Sequence, residues 1–176
     1  MTIRIDLRGS KELQAALRNM SDDVRDAASA VVINEAQRLR GEIVESIKNG
    51  PANGTTYYRI PGEKYMTIRA GSSDGPPVAF IPGGGNHNLS RTHTASGPWQ
   101  PPMSDTGRYA NSIVFDREGD LTAIVHPSGK KMQMLGAWLE YGTKRMSPRP
   151  HFRPAAHKRQ PIFLRNMETA LARVIR

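Results

Sequence analysis

Cysteine is absent from the chain, so neither a disulfide framework nor a thiolate metal site can form. That absence fits a reducing cytosol, or an assembly that does not rely on oxidation. Aromatic residues are scarce, 6% of 176, and hydrophobic residues reach only 38%, below ordinary globular usage. One domain of this length still buries a core. Thirteen prolines and sixteen glycines, however, predict that part of it is irregular or dependent on neighbours. No apolar run approaches the roughly 20 residues of a membrane span. The opening "MTIRIDLRGSKELQ" has no apolar segment of signal-peptide length either. The expectation is a soluble chain, not exported by the usual route and with no membrane partner. Acids are the last scarcity. Residues 144–176 hold only Glu168 against nine Lys/Arg, so nearly all of the formal charge of +9 lies in the last fifth of the chain. Such a patch attracts any polyanion, nucleic acid or acidic protein surface, and the sign alone does not choose.

Catalytic spacings are missing too. Gly83-Gly84-Gly85 is followed by neither Lys-Ser/Thr nor a helix start, so a phosphate loop would lack its cation and its dipole. The five histidines, His87, His93, His126, His151 and His157, show no zinc-binding spacing. Asp105, His93 and Ser96 can be drawn as a hydrolytic triad, but no nucleophile elbow supports them. Asp105-Thr106-Gly107 reads more simply as a structural turn, the Asp side chain closing an Asx-turn on the Gly107 region. The sequence therefore assigns no catalytic, cofactor-binding or metal-ligating residue. A protein without enzymatic activity is expected.

What is present reads as an α+β fold. "TIRIDL" (2–7) alternates Ile3, Ile5 and Leu7 with Thr2, Arg4 and Asp6, the period of a half-buried strand. Ser10 then offers an N-cap for a helix carrying Leu13, Ala16 and Leu17. Ser21-Asp22-Asp23 opens a long helix in which Ala28, Val32, Ala36, Leu39, Ile43 and Ile47 form one apolar stripe. Asn49-Gly50-Pro51 ends it. Residues 51–103 are then dominated by glycine and proline, with scattered Tyr57, Tyr58, Tyr65, Phe80 and Trp99. Loops beyond about 12–15 residues are uncommon in compact domains. This stretch is read as an insertion or arm that orders on a partner, within a single domain spanning 1–176. Two β-rich runs, Ser112–Asp116 and Leu121–His126, flank the hairpin signal "REGD". A short helix carrying Leu135, Trp138 and Leu139 ends at Tyr141-Gly142, with Gly142 supplying a positive φ. A last helix runs from Pro154, with Phe163, Met167, Ala170, Leu171 and Val174 on one face and a start or kink at Pro161. The expected architecture is a small antiparallel sheet packed by a long N-terminal and a C-terminal helix, plus the arm.

Between the last two helices lies "LEYGTKRMSPRPHFRPA" (139–155), with four basic residues and three prolines. Pro148, Pro150 and Pro154 have no N–H and a fixed φ, so the segment stays extended and loses little entropy on docking. Basic and aromatic side chains interleave over 144–163 in a manner compatible with phosphate contacts and base stacking. No helix-turn-helix, zinc finger or RNP signature accompanies them. A solvated or partner-facing basic surface is the simpler reading.

Two segments carry a resemblance. "SGPWQPPMSDTGRYANSI" (96–113) resembles the pattern Ser-x-Pro-Gly-x-Pro-Pro-x-x-Asp-Thr-Gly-x-Leu-x-x-Ser-Ile. It departs from that pattern at Trp99, in place of Gly, and at Tyr109, in place of Leu. "LEYGTKRMSPRPHFRPA" resembles an acidic-aromatic-Gly-Thr motif followed by Pro-x-Arg-Pro-x-x-Arg-Pro-Ala. In this order, behind a long helix, the two are similar to a family of small tail-component and neck proteins of long-tailed bacteriophages and prophages. Members are described as tail-completion or head–tail joining proteins. The similarity covers 11–50 by pattern and 96–176 by motif. It implies a virion structural protein, made in the host cytoplasm and sited at the neck or top of the tail, that forms a six-fold or twelve-fold homo-oligomeric ring. Its partners would be connector or head-closure proteins and tail-tube or terminator proteins, with DNA at most passing through the lumen. A tail terminator is the nearest alternative, and a basic DNA-binding accessory protein is the alternative from another class. On the family reading, Glu140, Tyr141, Gly142, Arg149, Phe152 and Arg153 form an interface clip. Arg149 and Arg153 would offer planar forks to carboxylates of another subunit. Glu140 would be a partner in the same chain or the next, and Phe152 an anchor in the core.

Overall fold

Residues 3–6, 22–59 and 91–174 are described by the computed structural model. The expected helix around Leu13–Leu17 and the centre of the arm, residues 60–90 with Gly83–Gly85 and His87, lie outside the described residues.

The apolar stripe folds as one helix, α1 (Asp22–Lys48), with Asp22 and Asp23 in its first turn and Lys48 in its last, charges that suit the helix dipole. Every stripe residue from Ala28 to Ile47 is at most 1% exposed. The sheet that receives it has the order β1–β5–β4, antiparallel throughout. Here β1 is Ile3–Asp6, β4 is Ile113–Gly119 and β5 is Thr122–Pro127. The first strand of the chain thus pairs with its last, Ile3 opposite Val125. The central strand contributes Ala123 and Val125 to the core beneath α1. At the hairpin the register shifts between Arg117 and Gly119. Arg117 braces the bulge by donating to Gly119 O at 3.1 Å, Asp120 Oδ1 at 2.8 Å and Ser29 Oγ of α1 at 3.2 Å. Arg40 Nε donates to Ile113 O at 2.8 Å, so α1 runs along the hairpin from its tip to its open end.

Beyond α1 the chain pairs β2 (Thr56–Arg59) antiparallel with β3 (Arg91–Thr94), a two-stranded ribbon at the base of the arm. Bonds from Gly54 N to Ala95 O (2.7 Å) and from Ser104 N to Ile47 O (2.9 Å) fix that base against α1. Three more helices follow: α2 (Arg108–Asn111), α3 (Lys130–Tyr141) and α4 (Phe152–Val174). The last begins two residues before Pro154 and continues through Pro161. Pro154 sits in the first turn, where a missing N–H costs nothing. Pro161 and His157, whose carbonyl loses its donor, are both exposed, so water can serve that carbonyl. α4 packs along α1 through Phe152, Ala155 and Met167, with Phe163 and Leu171 half-buried beside them. The fold is α+β: α1 covers the small antiparallel sheet, and the second long helix, α4, packs along α1 rather than on the strands. No helix among the described residues is long and apolar enough to cross a membrane.

Candidate interface site

The two resemblance motifs meet at the end of the molecule where α3 stops. α3 needs a residue with positive φ there, and Gly142 (φ 77°) supplies it while its N–H closes on Trp138 O at 2.8 Å. A Cβ on Gly142 would lie 2.7 Å from Met146 O and 2.9 Å from Pro148 N, so the chain folds back tightly against it. The returning proline segment is then tied on both sides. Arg149 N donates to Leu139 O at 2.6 Å, and Trp99 N, from the first motif, donates to Pro148 O at 2.7 Å. Trp99 holds φ 63°, the sole described non-glycine residue with positive φ. It stands where the resembled pattern carries glycine. A bulky residue seldom adopts this conformation.

Glu140 is the centre of the arrangement. Its side chain reaches the first turn of α4, whose N–H groups have no intrahelical partners. Oε2 accepts from His151 N at 2.9 Å and Phe152 N at 3.0 Å; Oε1 accepts from Arg153 N at 2.9 Å and Arg153 Nε at 3.1 Å. Arg153 also reaches Glu140 O at 3.2 Å. The carboxylate therefore caps a helix from a position eleven to thirteen residues upstream. Burial alone would raise its pKa. The three backbone donors outweigh burial, and Glu140 is held below the ordinary carboxylate range.

His151 lies against this cap, 1% exposed. Its Nδ1 is 3.0 Å from Arg149 O, which accepts a proton there, leaving Nε2 to accept from the Tyr109 hydroxyl at 2.7 Å. Burial depresses the imidazole's pKa, against the Arg149 carbonyl and the Glu140 charge, so His151 is the neutral base of this network. Burial, then the Glu140 charge, pushes the Tyr109 phenol upward, which keeps it a donor. Gly136 of α3 makes room for that hydroxyl: a Cβ there would stand 2.7 Å from Tyr109 Oη and 3.2 Å from Pro127 Cγ.

Two of the clip residues lie where the sequence reading allows: Phe152 is an anchor in the core, and Glu140 is a partner within the same chain. Glu140 and Phe152 are 0% exposed and cannot touch another subunit; both serve the chain's own core. The guanidinium of Arg153 is directed to Glu140 of the same chain, and Arg149 Nε donates to Ser96 O at 3.1 Å. The segment is buckled onto its own chain through Glu140 and Ser96. Tyr141 is the exception, 58% exposed, with Arg153 Cζ 5.1 Å from its ring centroid. In the Asp105-Thr106-Gly107 turn, Gly107 has φ 75°. Its N–H donates to Ser104 Oγ at 3.2 Å and that of Arg108 to Thr106 Oγ1 at 3.4 Å. The Ser104 and Thr106 hydroxyls thus take part in the turn that the sequence assigns to Asp105, Thr106 and Gly107. The triad drawn from sequence is not assembled: Ser96 Oγ is buried without any hydrogen-bond partner, so it has no bond to His93. Among the described residues no cluster of His, Asp and Glu is arranged to hold a metal ion.

Sequence reasoning missed a second network. Glu35, 2% exposed on α1, accepts from Arg159 Nε at 3.1 Å, from the Arg159 Nη2 and from Asn166 Nδ2 at 2.8 Å, all on α4. Arg159 Nη1 also meets Glu42 at 3.1 Å, and Lys158 Nζ meets the other Glu42 oxygen at 3.3 Å. Three of the nine basic residues of the tail, Arg153, Lys158 and Arg159, are therefore paired inside the chain. A signal existed: Glu35 lies between Val32, Ala36 and Leu39 on the buried side of α1, where a carboxylate demands a partner.

Compared with known proteins, the chain matches no family model, no curated protein and no solved structure.

Proposed function

We propose that this chain is a structural protein of a tailed-phage virion, forming a homo-oligomeric ring at the head–tail junction that joins the tail tube to the head connector. The reading rests on the resemblance of residues 96–113 and 139–155. One observation supports treating them as a unit: segments more than twenty residues apart in the chain interlock through Trp99 N–Pro148 O, Tyr109 Oη–His151 Nε2 and Arg149 Nε–Ser96 O. A second trace of the pattern is backbone geometry, since the position where it carries glycine has a positive φ here. On this reading the buckle gives each protomer a rigid end. Docking to connector and tail proteins uses the exposed surface around that end rather than its buried carboxylate.

The test is to inactivate the coding region in the genome that carries it, induce particle production and view the lysate by electron microscopy. Filled heads and free tails that fail to join are expected. Tails of uncontrolled length would assign the chain to tail termination instead. Normal infectious particles would overturn the virion reading.

A further inference from the structure

The outer face of α3 is the least explained surface of the molecule. Its inner side is spent on packing: Gly136 and Glu140 are buried, and Leu135 and Leu139 are half-buried. On the opposite side Met134, Trp138 and Tyr141, spaced four and three apart, form one ridge, and they are 53%, 48% and 58% exposed. Trp99, 69% exposed, is tied to the same end through Pro148. These are four of the five large apolar side chains exposed among the described residues. Both tryptophans of the chain are included.

The exposed charges that α3 and its flanking segments bring to this ridge have a single sign. Lys130 and Lys131 flank it at the start of α3, and Lys144, Arg145 and Arg153 lie beyond its end, all exposed. Between Leu121 and Met167 the only acid in the sequence is Glu140, and it is buried. An apolar centre of Trp, Tyr and Met inside a cationic rim is the anatomy of a protein-docking surface. Charge complementarity then selects what covers it. Two copies meeting face to face through this ridge, as in a two-fold dimer, would set cation against cation. Nucleic acid fits less well, because base stacking needs open ring faces. The Arg153 guanidinium already lies over Tyr141, and Met134 offers no ring. We infer that the outer face of α3 docks an acidic surface of a different protein, one presenting apolar side chains framed by Asp and Glu. The inference stands on this face alone, so its failure would leave the virion reading untouched, and the reverse also holds.

Because both tryptophans flank the site, their intrinsic fluorescence reports its occupation. The purified full chain is titrated with a Trp-free synthetic amphipathic helix carrying Leu on one face and Glu on the other. The comparison probes are the same helix with Lys for Glu, and polyglutamate. A blue shift with the acidic helix is expected, with binding about tenfold or more weaker for each comparison probe. Trp138→Ala with Tyr141→Ala should weaken the acidic helix by about tenfold or more, as should Lys130→Glu with Lys131→Glu. Circular dichroism of each variant verifies that these exposed changes leave the fold intact. Equal binding by wild type and both variants overturns the proposal. So does oligo-dT binding that displaces the helix and weakens in the same variants, which would make the face a nucleic-acid surface. Self-association abolished by Trp138→Ala would overturn it in favour of a second copy.

Discussion

Glu140 and Glu35 are both buried carboxylates with an arginine partner, yet they are held by opposite means. Glu140 rests on backbone: three consecutive amides at the entry to α4 donate to it, and its arginine, Arg153, has a side chain 53% exposed. Glu35 rests on side chains: Arg159 at 12% exposure and Asn166 reach it from α4, and Arg38 of its own helix stands 3.6 Å away. In the first case the carboxylate is the essential member and the arginine an accessory. In the second the two charges are mutually dependent. The comparison teaches that an Arg–Glu contact has no fixed worth; the other donors at the carboxylate decide it.

The largest effect is expected from Glu140→Ala. It strips the His151, Phe152 and Arg153 amides of their acceptor inside the protein, at about 1–3 kcal/mol for each buried unpaired group. The α4 start and the proline segment should loosen together, with a loss of about 4 kcal/mol or more in urea unfolding. A loss below about 1 kcal/mol would show that α4 does not need its remote cap. Next comes Arg159→Met, which leaves Glu35 buried with Asn166 as its remaining α4 donor. Breaking a buried pair from one side costs about 3–5 kcal/mol. Replacing Glu35 and Arg159 together by Leu and Met should recover much of that loss, because no uncompensated charge is then left.

Acidification probes the first network in a different way. The folded His151 pKa lies below its ordinary 6.5, so the unfolded chain binds the proton more readily. His151 therefore contributes stability above about pH 6.5 that is lost as pH falls through its lowered folded value. Glu140 behaves likewise from its ordinary 4.5: its contribution is present above that pH and lost as pH falls through the depressed value. The urea midpoint should drop as pH is lowered from about 7 to 5, and drop again below about 4.5. A flat midpoint over the first interval would contradict a neutral, buried His151.

The Tyr109–Gly136 contact sharpens the picture further. Gly136→Ala places a Cβ against Tyr109 Oη; overpacking of this kind costs about 1–3 kcal/mol. In a Tyr109→Leu background, where the hydroxyl is gone, the same Gly136→Ala change should cost under about 1 kcal/mol. Equal costs in both backgrounds would show that the hydroxyl is not what requires glycine there.

What could be read from sequence followed the range of the interactions. The α1 stripe, the hairpin around "REGD" and the Gly142 stop are set by neighbours within a few residues, and the structure has them. The start of α4 was read two residues late, because its cap is Glu140, beyond any local window. The Glu35–Arg159 pair spans 124 residues, so the basic tail read as an open patch although part of it is internally neutralised. Trp99 and Tyr109 were visible as departures from a pattern. The left-handed backbone at the first and the imidazole waiting for the second were not.

The smallest effect is expected from Arg153→Ala. From sequence alone this arginine, set in a rigid proline segment, looked as important as any residue of the clip. Its side chain is about half exposed, so water screens the ion pair, and exposed pairs are worth about 0–1 kcal/mol. Removing it leaves Glu140 with all three backbone donors. It also uncovers the Tyr141 ring, a contact of about 0.5–1 kcal/mol at an exposed site. A total loss of about 0.5–2 kcal/mol is expected in urea unfolding, below that of Arg159→Met. A loss as large as that of Arg159→Met would mean that Arg153 neutralises Glu140 as Arg159 does Glu35, and the distinction between the two networks would fall.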